Sequence, residues 1–184
     1  KFLKTSKTEQ IHCVDIIKRL AMAYPEIGWE LSDGVRDLLK LPITENSIDH
    51  IDPLLSRLSM IMGKEFHNNA MTINAERENT FLFGYAGLPT LNRGNSQMQF
   101  LFVNGRPVKD KLLYGALRGA YREFLASDRH PLVALFLDLP SEAIDINVHP
   151  AKSEVRFRDS GNIRGLIVGA LKKALAEAGH RAST

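Results

Sequence analysis

The segment from Asp145 to Phe157, Asp-Ile-Asn-Val-His-Pro-Ala-Lys-Ser-Glu-Val-Arg-Phe, constrains this chain more than any other. Ile144, Ile146 and Val148 alternate with Asp145, Asn147 and His149, and Val155 and Phe157 alternate with Glu154, Arg156 and Arg158. That period of two is the pattern of half-buried strands. Between the two runs, Pro150 fixes its own φ and pushes His149 away from helical geometry, so Pro150-Ala151-Lys152 is expected to form a stiff loop. Lys152 is then offered from a rigid support. A lysine ammonium so placed suits a phosphate, because a compact charge neutralises a phosphoryl oxygen without the planar match that arginine requires. A solvated lysine in a strand connection fits the same spacing, and a short motif alone does not separate the two.

Upstream, Ser6-Lys7-Thr8-Glu9 has the capping-box pattern and leads into Ile11, Val14, Ile17, Leu20, Ala21 and Tyr24 at helical spacing, with Pro25 as the stop. Cys13 in that helix reads as a small buried hydrophobe. Trp29 and Leu31, the Asp33-Gly34 turn and a return from Val35 to Leu41 predict a hairpin. The polar stretch Pro42 to His50 lacks periodicity and marks the expected boundary, giving units 1–44 and 45–184. Asp52-Pro53 opens a short helix through Leu54, Leu55, Leu58, Ile61 and Met62 that closes at Gly63.

Strands are expected at Met71 to Ala75, Thr80 to Ala86, Gln97 to Val103 and Leu132 to Leu139, with a final helix from Asn162 to Ala178. Strands and helices in this order, with antiparallel hairpins, predict an α+β fold: a two-layer sandwich of a mixed sheet with helices.

A helix expected after Arg106 and running to about Leu125 carries a second functional signal. At 100° per residue, Leu113, Leu117, Ala120 and Phe124 share one sector while Lys111, Arg118 and Arg122 stack on the opposite side. Gly115 lies beside the basic stripe, where a helix-interior glycine costs about 1 kcal/mol relative to alanine and is explained if something must approach the backbone closely. Arg106 and Lys109 extend the stripe. It contains no aromatic residue, so backbone contact with DNA is expected rather than base stacking, against the plain alternative of a solvated face.

Composition excludes several classes. The 184 residues are 44% hydrophobic and carry a formal charge of +3, which points to a soluble globular chain and gives bulk charge little weight. No apolar run approaches the length needed to span a bilayer, and no secretory leader is present. One cysteine excludes an internal disulfide, and six scattered histidines predict no metal site. A cytoplasmic location follows as the expectation.

Val103-Asn104-Gly105-Arg106-Pro107, Asp145 to Lys152 and Glu154 to Phe157, with the opening Lys1-Phe2-Leu3-Lys4, resemble the MutL family of DNA mismatch-repair ATPases in order and approximate spacing. The resemblance implies a ribosomal-protein-like transducer domain, preceded by the terminal helix and hairpin of a gyrase/MutL-type ATPase lobe. It implies that Lys152 is sent into a neighbouring nucleotide site to sense the γ-phosphate, with ATP and Mg held mainly by that lobe, and that Lys111 falls where a basic side chain contacts DNA. The lobe's own glycine-rich elements are absent from this chain, and it lacks an initiating Met. A piece of a larger protein is therefore expected, inactive alone and an ATPase when complete. The implied partners are double-stranded or single-stranded DNA, a second copy of the full-length protein, and the pathway's mismatch-recognition protein, with no membrane and a location in the bacterial cytosol or nucleoid. Two rival readings are a nucleotide-independent nucleic-acid-binding module on the same fold and the transducer of another gyrase-type ATPase.

Overall fold

The computed structural model describes residues 5–44, 52–145 and 155–182, and the chain divides into two compact units at His67/Asn68. The first unit contains helix α1 (Ser6–Ala23), strands β1 (Trp29–Ser32) and β2 (Asp37–Leu41), and helix α2 (Pro53–Met62). A short helix α3 (Lys64–Asn69) spans the division. The division groups α2 with the first unit, whereas the sequence places that helix after its expected boundary.

Helix α1 starts one residue earlier than the Ser6 capping box suggests. Thr5 is the cap, with extended φ and ψ of −62° and 149°, and its hydroxyl accepts from the Thr8 N–H. Tyr24, at φ −131° and ψ 71°, ends the helix in front of Pro25. Cys13 is exposed rather than buried, as are Ile11 and Ile16, because the buried positions of α1 are Ala21 and Met22 near its C-terminal end.

β1 and β2 pair antiparallel, Trp29 with Leu41 and Leu31 with Leu39. The Asp33 carboxylate accepts from the N–H groups of Val35 and Arg36, each at 3.0 Å, beside Gly34 at φ +88°. Helix α2 has the expected Asp52 cap, accepting from the Leu54 N–H at 2.8 Å, with Pro53 in the first turn and Gly63 at φ +99° after the end.

The second unit is built on a five-stranded sheet ordered β3-β4-β9-β6-β7. Its elements run β3 (Ala70–Arg77), β4 (Thr80–Gly87), β5 (Asn92–Arg93), β6 (Gln99–Val103), β7 (Arg106–Val108), helix α4 (Lys111–Tyr121), β8 (His130–Pro131), β9 (Val133–Asp138), β10 (Ile144–Asp145), β11 (Arg156–Phe157) and helix α5 (Ser160–Ala182). β6 and β9 are parallel and the other sheet neighbours antiparallel, so the sheet is mixed. The β3–β4 hairpin turns on Glu78 and Asn79, at φ +48° and +59°, and β6–β7 turns on Asn104 and Gly105, at φ +46° and +74°. Both residues of each two-residue turn have positive φ, and turns of this kind twist in the same sense as the strands they join.

Alternation sorts the sheet into two faces. Leu82, Leu101, Val103, Leu135 and Leu137 join the core with Leu113 and Leu117 of α4 and Leu166 and Leu171 of α5. The opposite face carries an aromatic row in register, with Phe83 stacked on Phe136 at 5.2 Å between ring centroids and Phe136 on Phe102 at 4.4 Å. The α+β two-layer architecture is thus the one the sequence pattern predicts.

Two details differ. An unexpected short strand, β7, precedes α4, so the helix begins at Lys111 rather than just after Arg106, and it ends at Tyr121 rather than Leu125. Phe124 consequently lies beyond the helix and is 46% exposed, while Ala116 and Tyr121 fill the packed face.

Candidate functional site

Lys152 lies outside the described residues. The chain on either side of it is described. Ile144 pairs with Phe157 and Asp145 with Arg156, antiparallel, and the Arg158 N–H donates to the Ala143 carbonyl at 3.0 Å. Val155 and Phe157 are buried in the core under α5, which fixes the returning arm of the elbow to the sheet domain.

The Asn104-Gly105 turn is tied to the strand that leads into that elbow. The Asn104 side-chain amide donates to the Leu139 carbonyl at 3.0 Å and its oxygen accepts from the Leu139 N–H at 2.9 Å. The Asn104 backbone N–H donates to the Leu137 carbonyl at 2.9 Å. One side chain therefore satisfies both backbone groups of Leu139 where β9 ends, a job that requires an amide.

After that turn come three exposed cations, Arg106, Lys109 and Lys111. Asp110, 8% exposed, caps α4 by accepting from the N–H groups of Leu112 and Leu113 at 2.9 and 3.1 Å. Lys111 is the first residue of α4 and points from its exposed face.

Arg118 and Arg122 share that face, but lie about 10 and 16 Å farther along the helix axis. They do not stand on an open stripe. Together with Arg129 and His130 they line a cleft of about 490 Å³ whose other walls include Tyr114, Gly115, Tyr121 and Leu125. Lys111 is not among its lining residues. The Tyr121 hydroxyl donates to the Gly87 carbonyl at 2.7 Å, and burial pushes its phenol well above the ordinary value. Arg118 donates to the Ser127 carbonyl at 3.3 Å, which ties the segment after α4 back to the helix. Sequence periodicity could not find Arg129 or His130. They arrive through the pairing of β5 with β8, Asn92 opposite Pro131 and Arg93 opposite His130.

In the first unit, Arg57 of α2 is fully buried. Its Nη2 donates to the carbonyls of Pro25, Ile27 and Pro42 at 2.8 to 2.9 Å, while Nε and Nη1 have no partner. Desolvation lowers its pKa. No group of three or more His, Cys, Asp or Glu side chains gathers in a metal-holding arrangement among the described residues, and no helix there is long and apolar enough to cross a membrane.

The family model for the C-terminal domain of DNA mismatch repair proteins matches residues 58–176. The chain belongs to the MutL family of DNA mismatch-repair proteins. It is 57% identical over 184 residues to the DNA mismatch repair protein MutL of Rhodospirillum rubrum, covering 100% of this chain and 29% of that protein. Against MutL of Caulobacter vibrioides it is 53% identical over 186 residues, covering 100% of this chain and 28% of the relative. The chain thus spans less than a third of these relatives.

Among solved structures, the N-terminal domain of a DNA repair protein superposes with a TM-score of 0.73 at 20% identity, over 95% of this chain and 55% of that one. The Aquifex aeolicus MutL ATPase domain complexed with ADP superposes with a TM-score of 0.56 at 23% identity, over 90% and 50%. At those identities the likeness is one of fold. Within this MutL chain, then, the cations expected on one stripe divide into a group at the start of α4 and a group around the cleft.

Proposed function

We propose that this chain is the hinge part of a MutL-type ATPase, with 1–44 ending the nucleotide-binding lobe and 45–184 forming the transducer. Lys152 reaches the γ-phosphate of ATP, which the preceding lobe holds with Mg. ATP then favours the arrangement of lobes in which that contact is made, which is linkage between nucleotide and conformation. In hydrolysis the ammonium stabilises charge developing on the transferred phosphoryl group. The ADP in the Aquifex domain supports the nucleotide.

The observation that supports this reading is the antiparallel pairing of β10 with β11, which joins the chain before the Asn-Val-His-Pro-Ala-Lys segment to the chain after it. A lysine that must cross into another lobe has to be held at a fixed place, and this pairing supplies the fixed base. DNA binds along Arg106, Lys109 and Lys111, whose exposed side chains gather within six residues at the start of α4. Arg118 and Arg122, farther along the helix, line the cleft instead. The partners are a second copy of the full-length protein, closing on DNA when ATP binds, and the mismatch-recognition protein of the pathway, in the bacterial cytoplasm.

The test is Lys152→Ala in the full-length protein. Turnover of ATP should fall roughly 10- to 1,000-fold, the range for losing one donor to developing charge. Binding of ATP should weaken far less. Normal turnover in a folded variant would remove Lys152 from the nucleotide site, and DNA affinity indifferent to nucleotide would favour a passive binding module instead.

A further inference from the structure

The cleft beside α4 combines an apolar floor with an unpaired cationic rim. Its lining contains no Asp or Glu. Arg118 has a single hydrogen bond, to the Ser127 carbonyl, and Arg122 and Arg129 have neither a hydrogen bond nor an ion pair from their side chains among the described residues. The nearby Glu123 is taken by Lys172 at 3.1 Å. Three like charges around one depression repel one another, so an anionic occupant relieves the site.

The floor says what kind of anion. Tyr121 shows its ring with the hydroxyl already committed to Gly87, Leu125 and Pro131 add carbon, and the Gln99 amide is committed to the Pro131 carbonyl at 3.3 Å. Gly115 opens directly onto this space: a β-carbon there would meet nothing within 4 Å. The chain's own packing does not require glycine at this position, although glycine in a helix costs about 1 kcal/mol relative to alanine. At about 490 Å³ the cleft falls within the size range of ligand sites. A phosphate or a duplex backbone would leave the carbon floor unused, and a nucleobase would bring polar edges to a floor whose polar groups are spoken for.

We infer that this cleft is a docking site for a short acidic peptide segment of a partner protein. One apolar side chain of leucine or phenylalanine size enters over Gly115, and Asp or Glu residues beside it pair with Arg118, Arg122 and Arg129. This surface is separate from Arg106, Lys109 and Lys111, so peptide and DNA occupy the two ends of α4.

The test uses the full-length protein and three fluorescein-labelled peptides read by anisotropy. The first is acetyl-Asp-Glu-Leu-Phe-Asp-Glu-amide, the second has Asn and Gln in place of the acids, and the third has Ser in place of Leu and Phe. The first should bind saturably, and each control should bind at least 10-fold more weakly. Arg122→Ala should weaken the first peptide about 2- to 5-fold, the scale of one rim ion pair, and Arg122→Glu with Arg129→Glu more than 10-fold. Gly115→Leu keeps every charge and fills the opening, so it should abolish binding while circular dichroism stays native and melting is unchanged or higher. Retained binding in that variant means charge alone holds the peptide and overturns the proposal, as does equal binding of the neutral peptide or no binding at all. If an oligonucleotide displaces the peptide and itself loses affinity in Gly115→Leu, the cleft is a nucleic-acid subsite and the proposal also fails.

Discussion

Reversing one charge at the start of α4 separates the two groups of cations. Lys111 is the first residue of the helix, exposed, and outside the cleft. If its ammonium neutralises one DNA phosphate, its loss lowers the magnitude of the slope of log affinity against log salt by about 0.9 on duplex DNA. Over a fourfold rise in salt, from 50 to 200 mM, that contact accounts for about a 3.5-fold change in affinity. Lys111→Glu in the full-length protein should show that loss of slope on every duplex sequence tested, because phosphate contacts carry no sequence information. Arg122→Glu, about three turns along and committed to the cleft, should change the slope by less than about 0.3, a third of one contact.

Stability gives a second, opposite sign. A cation in the first turn faces the positive end of the helix dipole, so an acid there is favoured by about 0.3–1 kcal/mol. Lys111→Glu should therefore melt at the parent temperature or up to about 4 °C higher. Titration of labelled duplex at four salt concentrations, with melting of the same preparations, measures both quantities. An unchanged slope at Lys111 would remove the start of α4 from the DNA surface. Equal slope losses for Lys111→Glu and Arg122→Glu would mean that the face is undivided and that the cleft arginines bind DNA after all.

Two further perturbations test the packing. Arg57→Met keeps the aliphatic bulk of the side chain but removes this donor from the Ile27 and Pro42 carbonyls, and from the Pro25 carbonyl, which keeps the Thr44 N–H and hydroxyl, partly offset by removing the unpaired Nε and Nη1 groups. A loss of about 3–5 kcal/mol is expected, the cost of breaking a buried charged network, and urea unfolding followed by Trp29, the single tryptophan, reads it in the unit concerned; a loss under about 1 kcal/mol, the size of one ordinary hydrogen bond, would show that the carbonyls find other partners. Burial raises the Asp138 carboxyl pKa, so the folded chain holds that proton more tightly and its stabilising effect is lost as pH rises through the folded value. Asp138→Asn, which never ionises, should out-melt the parent at neutral pH, with the gap closing as pH falls below the ordinary carboxylate range; a gap independent of pH refutes the assignment.

The sheet was readable because its signals are local. Thr80 to Gly87 and Val133 to Asp138 are runs rich in branched and aromatic residues, and Asp52-Pro53 with Gly63 brackets a helix by backbone chemistry alone. What escaped depends on distant chain or on very short elements. β7 has three residues, too few for a periodicity, and only the positive-φ pair Asn104-Gly105 betrays it. Phe124 fits the helical spacing perfectly, yet the helix has ended three residues earlier. Arg57 offered a usable signal. It follows Leu54 by three residues and Ile61 follows it by four, so a charge stands on the apolar stripe of α2, and a charge there has to find buried acceptors. Arg129 offered none, since its segment follows the end of α4 without periodicity and is placed by the Arg118–Ser127 hydrogen bond and the β5–β8 pairing.

Few residues separate the two sites proposed for nucleotide and DNA. β9 ends at Asp138, Leu139 follows, and the helical turn Ser141–Ala143 delivers the chain into β10 and the arm that leads to Lys152. Asn104 grips Leu139 by both of its backbone groups, and Arg106, Lys109 and Lys111 follow Asn104 directly. On the proposed function, a shift at Lys152 would reach Leu139 through this short turn, and the start of α4 through the Asn104 side chain. The opposite end of α4 is held separately, by the Tyr121 hydroxyl on Gly87 and by Arg118 on Ser127. Such a path becomes coupling only when both ends bias the same pair of states. On the proposed function, an ATP-driven change in how Lys152 meets its neighbouring lobe would meet that condition at Arg106, Lys109 and Lys111, the cations that follow Asn104 most closely in the chain. The cleft arginines lie at that separately held end, Arg118 itself being one of its ties, so the proposed peptide site stands apart from the proposed path between nucleotide and DNA.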